Sequence, residues 1–214
     1  MKLGRLLLPR LHGRGRSGHL ALTFDDGPDE QSTPRFLDVL AAHDVRATFF
    51  LLGMMCERYP LLATQIASAG HEVAVHSWDH RNHLWHTPSA TYDQLARTAD
   101  LIEQQSGLRP AYFRPPYGAL TAADLIAARR LGLQTVLWTA EGRDWERTAT
   151  PESVLAEVLT GTVNGGTVLL HDSDCTSDPG SWRAALGALP RLLDWCSDRG
   201  LSVGTVGAHG RLGT

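Results

Sequence analysis

HLALTFDDGP, residues 19–28, is an apolar run that stops on two adjacent carboxylates, Asp25 and Asp26, before Gly27 and Pro28 turn the chain. Like charges this close repel unless a cation neutralises them. Runs of the same kind recur at ATFFLL (47–52), HEVAVH (71–76), AYFRPP (111–116), QTVLW (134–138), TVLLHD (167–172) and LSVGTV (201–206). Between them lie segments with apolar residues at helical spacing: 32–43 behind an N-cap at Ser32, then 53–69 closed by Gly70, then 89–107 and 121–132. Two more follow, 151–161 with Pro151 in its first turn and 181–200, in which Pro190 is expected to kink or interrupt the helix. A loop, TAEGRDWERTAT, is expected over 139–150. Runs apolar on successive positions suit parallel strands covered on both faces. The alternation predicts an α/β fold, a barrel in preference to an open doubly wound sheet.

Composition narrows the chemistry. The chain has 214 residues, 43% hydrophobic and 20% charged, which suits one globular domain. A formal net charge of −3 gives no electrostatic case for nucleic acid or for an anionic membrane as partner. Lys2 is the sole lysine, which argues against Schiff-base chemistry and against a P-loop. Cys56, Cys175 and Cys196 are odd in number and widely spaced, so a disulfide framework is not expected. Residues 1–17 read as a flexible basic lead-in, whose only apolar run, Leu6 to Leu8, is too short for a signal-peptide core or a membrane span. As written, the chain reads as cytoplasmic. Nothing in it speaks to oligomeric state.

Polar groups fall where the apolar runs stop. Asp25 and Asp26 end the first run, His76 the third, Arg114 interrupts the fourth, and His171 with Asp172 ends the sixth; Asp144 and Trp145 follow the fifth. In a parallel barrel all strands end at one face, so these groups are expected to converge there. In HSWDHRNHLWH (76–86), His76 and His80 are four apart, and one helical turn would set both imidazoles on one side. Pairs 80/83 and 83/86 have usable spacing too, but the strand-ending position favours 76 with 80. Two imidazoles and a carboxylate make a three-ligand metal site with room for water or substrate.

Taken in order, TFDDGP (23–28), HSWDH (76–80), RPPYG (114–118), DW (144–145) and LLHD (169–172) resemble the five motifs of the polysaccharide deacetylases, the NodB-homology group or carbohydrate esterase family 4. The resemblance runs from about His19 to Val206. It implies a distorted (β/α)7-8 barrel over 18–207, with 208–214 as a tail. It implies a divalent metal, zinc before cobalt or manganese, held by Asp26, His76 and His80. By the same resemblance Asp25 is the general base, held by Arg114, and His171 is the general acid, held by Asp144. The Tyr117 backbone N–H would meet the oxyanion, and Trp145 and Leu169 would line an acetyl pocket, with Pro116 beside the substrate. The implied partner is an acetylated carbohydrate or amino-sugar substrate, and the implied reaction is its deacetylation. Trp78, Trp85 and Trp138 are available to stack on sugar rings, with core packing expected of Trp138.

Two positions depart from the family pattern. Glu141 stands where many members have Asp in W-x-x-D-x-x-D-W, and Val75 where many have Asn before the first metal histidine. Both are expected beside the site, where they would shift substrate preference. A cytoplasmic enzyme would meet soluble oligosaccharides or N-acylated conjugates more readily than cell-wall polymer. Two other readings stand beside the deacetylase: a catalytically silent sugar-binding relative, and an iron oxygenase with the same two-His-one-carboxylate ligand set. The oxygenase reading gives no role to Asp25, Arg114 or His171.

Overall fold

The structure is a computed structural model that describes residues 11, 13–161 and 164–210. Its centre is a parallel sheet of eight strands: β1 (His19–Asp25), β2 (Thr48–Leu51), β3 (Glu72–Val75), β4 (Tyr112–Phe113), β5 (Gln134–Thr135), β6 (Ala140–Glu141), β7 (Thr167–His171) and β8 (Ser202–Gly204). The order is β5-β4-β3-β2-β1-β7-β6, with β8 pairing the first half of β1. β5 and β6 end this path, yet they belong to one continuous stretch of chain. Residues 134–141 pair with β4 at one end and with β7 at the other. Between them, Val136 N–H donates to Phe113 O and Thr139 N–H to Thr167 O. The curled sheet is closed by a strand that changes partners midway. The fifth run is therefore shorter than expected, and Ala140–Glu141 is strand where a loop was expected. Only the partners available on each side decide that, and local sequence does not encode them.

Helices α1 (Thr33–Ala42), α2 (Gly53–Arg58), α3 (Leu62–Ser68), α4 (Pro88–Ser106), α5 (Ala122–Arg130), α6 (Pro151–Gly161) and α7 (Trp182–Ser197) surround the sheet. Thr87 caps α4 by accepting from Ala90 N–H at 3.2 Å, and Gly107, left-handed at φ 73°, ends it. Thr121 and Asp124 form a capping box on α5. Three expectations need correction. Ser32 stands at the N-cap of α1, but its hydroxyl donates to Asp29 and caps nothing. The stretch 53–69 is two helices, because Pro60 cannot donate in the middle of one. Conversely, α7 runs through Pro190. Burial of Trp182, Ala185, Leu189, Leu192 and Cys196 along one face outweighs the roughly 3 kcal/mol that an interior proline costs.

The strands alternate inside both-sided burial. Leu20, Leu22, Phe24, Phe49, Leu51, Val73, Val75, Phe113, Val168 and Leu170 join the main core with the helices. Ala21, Phe50, Ala74, Val136 and Val206 form a second, smaller cluster inside the barrel. Small residues there leave room for polar side chains above and below. The N-terminal mouth is plugged by His209, whose ring meets His19 at 2.7 Å and Gly165 O at 2.9 Å. The expected lead-in and tail lie partly outside the described residues. Their described parts are bonded to the barrel: Gly15 N–H donates to Gly165 O, Thr167 Oγ1 to Gly13 O, and His209 is buried in the plug. The three cysteines are free, as expected, and no described helix is long and apolar enough to cross a membrane.

His71 is buried beside Phe49, and its Nδ1 accepts the Ala47 N–H at 3.1 Å, which only a neutral ring can do. Burial, with Arg46 nearby, lowers its pKa from 6.5 to about 4. In the unfolded chain the ring protonates first, so the stabilising effect is complete above pH 6.5 and lost as pH falls through 4. The expected loss from this residue is about 3 kcal/mol. Urea unfolding at pH 7 and pH 4 should show a smaller acid loss in His71→Gln than in the parent protein.

Candidate active site

Four strands deliver polar residues to the C-terminal mouth. β1 ends in Asp25, with Asp26 next along the chain, β3 runs into His76, β4 into Arg114, and β7 ends in His171. They meet at a cavity of about 510 Å³ whose wall includes Asp25, Asp26, His76, His80, Trp145, Leu169 and His171.

Arg114 fills the barrel beneath this cavity and is wholly buried. Nη1 donates to Asp25 Oδ1 at 2.6 Å and to Thr23 Oγ1 at 2.8 Å. Nε and Nη2 donate to Val136 O and Leu137 O, both at 3.1 Å. The guanidinium lies 4.0 Å over the Phe50 ring. Asp25 is thus held by one oxygen, while its other stands 3.6 Å from His76 Nε2.

Asp26 faces two imidazoles. Its Oδ1 is 3.4 Å from His76 Nε2 and 3.3 Å from His80 Nε2. His76 Nδ1 donates to Arg114 O at 2.8 Å, since a carbonyl only accepts, and this aims the Nε2 lone pair at the carboxylates. Burial, partly offset by Asp26, lowers His80 to about 4, so its ring is neutral near pH 7. Burial alone would push the Asp26 carboxyl up, yet nearby positive charge, that of His171 included, holds it well below the usual range. Lone pairs and a carboxylate oxygen therefore converge within 4.8 Å. Asp26 Oδ1 has no hydrogen-bond partner among the described residues although it is buried. Ligands about 2.0–2.1 Å from a tetrahedral zinc stand about 3.3–3.4 Å apart. The three residues fit a small divalent cation.

His171 is set by Asp144. The carboxylate accepts from His171 Nδ1 at 2.9 Å and from its backbone N–H at 2.7 Å, fixing ring and strand end together. Burial would pull the imidazole pKa down, but Asp144, then Asp26 and Asp25, push it up to about 10. Trp145 stands edge-on to the same ring at 5.4 Å. Tyr117, also in the cavity wall, is left-handed at φ 59°, and its ring meets His80 edge-on at 4.5 Å.

Several residues are not where the sequence placed them. His76 and His80 are brought together by a loop, with Ser77 at φ 74° and His80 at φ 56°, and not by a helical turn. Pro116 is buried under that wall and does not line the cavity. Val75 faces the helix layer in the main core, away from the cavity. Trp138 is not core: it lines the cavity, its Nε1 donating to Glu141 Oε2 at 2.7 Å. His83 is wholly interior, bonded to Asp124 at 2.5 Å and to Ser77 at 2.8 Å. Two further residues shape the site: Thr176, which carried no sequence signal, and Asp172, which ends the sixth apolar run. Thr176 donates to Asp26 Oδ2, fixing the carboxylate's free oxygen toward the imidazoles. Asp172 accepts from Thr33 Oγ1 at 2.5 Å and packs against Gly27, where no Cβ would fit; burial pushes its carboxyl up to about 7.

A family model described as polysaccharide deacetylase matches residues 12–136. The chain belongs to that family. The peptidoglycan-N-acetylglucosamine deacetylase PgdA of Listeria monocytogenes is 39% identical over 154 residues, 72% of this chain and 32% of the relative. The chain therefore spans about a third of that relative's length. The structure of the Bc1960 peptidoglycan N-acetylglucosamine deacetylase superposes with a TM-score of 0.88 at 27% identity, covering 98% of this chain and 97% of the other. The structure of BA3943, a CE4 family pseudoenzyme from Bacillus anthracis, superposes at 0.83 with 27% identity, covering 92% and 67%. The fold is accordingly the curled parallel barrel of carbohydrate esterase family 4.

Removing Arg114 would leave Asp25 as an uncompensated charge under the cavity, which typically costs about 3–5 kcal/mol. Arg114→Ala should lower the urea midpoint accordingly, and Arg114→Ala with Asp25→Ala should recover much of the loss. A double variant as unstable as the single one would mean that packing, not charge pairing, holds this layer.

Proposed function

We propose that the protein is a divalent-metal hydrolase that removes acetyl groups from N-acetylated amino sugars in a glycan. The observation that carries this reading is the division of labour between neighbouring carboxylates: Asp25 on a buried arginine, Asp26 facing two imidazole lone pairs. Asp26, His76 and His80 would hold the ion. When bound, a divalent cation lowers the pKa of water within its reach from 15.7 toward about 7 and polarises an acyl carbonyl.

The chain's own residues do the rest. Asp25 takes the proton of the attacking water, with Arg114 holding one of its oxygens in place. The Tyr117 backbone N–H meets the oxyanion as the amide carbon becomes tetrahedral. His171 protonates the departing amine, with Asp144 keeping the ring charged and turned toward the cavity. Leu169 and Trp145 give the methyl group an apolar seat. The catalytically silent reading draws support from the pseudoenzyme neighbour, but it leaves Asp25, Arg114, His171 and Asp144 without work.

Acetate release from N-acetylglucosamine oligomers should be abolished by a chelator and restored by zinc, cobalt or manganese. Asp25→Asn should still bind the metal in equilibrium dialysis while losing turnover, and His171→Ala should lose about 10²–10⁴-fold in kcat. Full activity in Asp25→Asn would refute the base assignment.

The raised pKa of His171 sets the alkaline limb, because the acid must be protonated to act. Asp144→Asn removes the nearest anion, so its activity should begin to fall at a lower pH than the parent's, by a unit or more. An unchanged limb in the pH profile of kcat would take Asp144 out of the mechanism.

A further inference from the structure

We propose that Trp85 and Tyr117 form a binding subsite for a second sugar of the same glycan chain, next to the reacting unit. This rests on the deacetylase reading and extends it to substrate length. The cavity does not end at the ligand histidines. A groove of about 720 Å³ adjoins it and shares His80, Tyr117 and Thr176 with it. Its far side is formed by Trp85, Arg81 and Asn82.

Of the three tryptophans offered as sugar platforms, the structure separates the roles. Trp78 packs on Gly53 and carries Arg97 at 3.3 Å over its ring, outside the cavity and the groove. Trp138 is tied to Glu141 inside the reaction cavity. Trp85 is 87% exposed, the most exposed large apolar side chain among the described residues, and Tyr117 in the same groove is 66% exposed.

The exposed indole sits on an anchored turn. It ends a short 3-10 turn, His83–Trp85, capped by Asn82 Oδ1 accepting from Leu84 N–H at 3.0 Å. The first residue of that turn, His83, is wholly buried on Asp124 and Ser77. The backbone that carries the ring is thus already ordered before a partner arrives. The apolar C–H face of a pyranose is such a partner, and Arg81 and Asn82 stand at the groove's rim for its hydroxyls. Because the groove shares a wall with the reaction cavity, its occupant is the adjacent unit of the glycan whose acetylated unit lies over Asp26.

The test is binding, so it does not depend on turnover. Calorimetric titration of the chelator-treated full chain with N-acetylglucosamine monomer and pentamer should show tighter binding of the pentamer. Trp85→Ala should weaken the pentamer about tenfold and leave the monomer within twofold, and Trp85→Phe should restore most of the loss. Equal effects on both sugars, no effect on the pentamer, or no preference of the parent protein for the pentamer would each overturn the subsite. Acetate release from the metal-loaded protein, followed alongside, reports separately on the deacetylase reading.

Discussion

The buried guanidinium of Arg114 is the interaction on which both the fold and the site depend. It is a cation with no exposure to water, in a setting where an unpaired charge would cost several kcal/mol. Its donors are spent on Thr23 and Asp25 of β1 and on the carbonyls of Val136 and Leu137. Those carbonyls belong to the stretch that leaves β4 for β7, where no regular ladder exists to bind them. One side chain thus ties the opening strand to the segment that closes the barrel. The planar fork of arginine can serve these directions at once, whereas a lysine ammonium would be a single point of charge. Ala21 and Ala74 inside the barrel leave the volume that the fork occupies. The same fork decides the chemistry above it, since it commits one oxygen of Asp25 and leaves Asp26 to the imidazoles.

What could be read from the sequence was whatever burial dictates locally. Apolar runs covered on both faces and polar groups at the ends of runs reflect short-range rules. That is why the barrel and the convergence of Asp25, Asp26, His76, Arg114 and His171 were legible. What depends on partners far along the chain was not. Ala140 and Glu141 become a strand only because β7 lies beside them. Trp138 looked like core because an apolar run contains it, but the run changes partners at that point and turns the indole to the cavity. Thr176 carries no signal at all in sequence, being one threonine among many until the loop after β7 brings it to Asp26. His76 and His80 were paired on helical spacing and on the strand-ending position of His76, and the structure brings the two together through a loop instead of a helical turn.

Backbone conformation shows why the loop takes that form. Asp26, Ser77, His80 and Tyr117 are all left-handed, with φ between 56° and 76°. Each non-glycine residue so placed costs about 1 kcal/mol or more, and such residues persist where the surroundings over-determine them. Here the surroundings are specific: Thr176 on Asp26, His83 on Ser77, and the Tyr117 ring against His80. The strain is gathered around one carboxylate oxygen and two imidazole nitrogens, so the loops hold those three atoms close together against their own preference.

A binding-only barrel would have less reason to keep this arrangement. Sugar recognition needs aromatic faces and hydroxyl partners, which Trp85, Trp138, Tyr117 and Trp145 already place around the mouth. It does not need a buried Asp25–Arg114 pair beneath the floor or a His171 held cationic by Asp144. Ionic pairs of that kind can often be replaced by packed apolar residues of similar volume with no loss, or with a gain of about 1–4 kcal/mol. The fork of Arg114 also serves the fold, by tying β1 to the segment that closes the barrel, but binding a sugar gives Asp25 and the cation of His171 nothing to do. The proposed proton transfers give them work: Asp25, seated on its arginine, to accept a proton, and His171, held by Asp144, to give one. Both line the cavity in which Asp26, His76 and His80 converge.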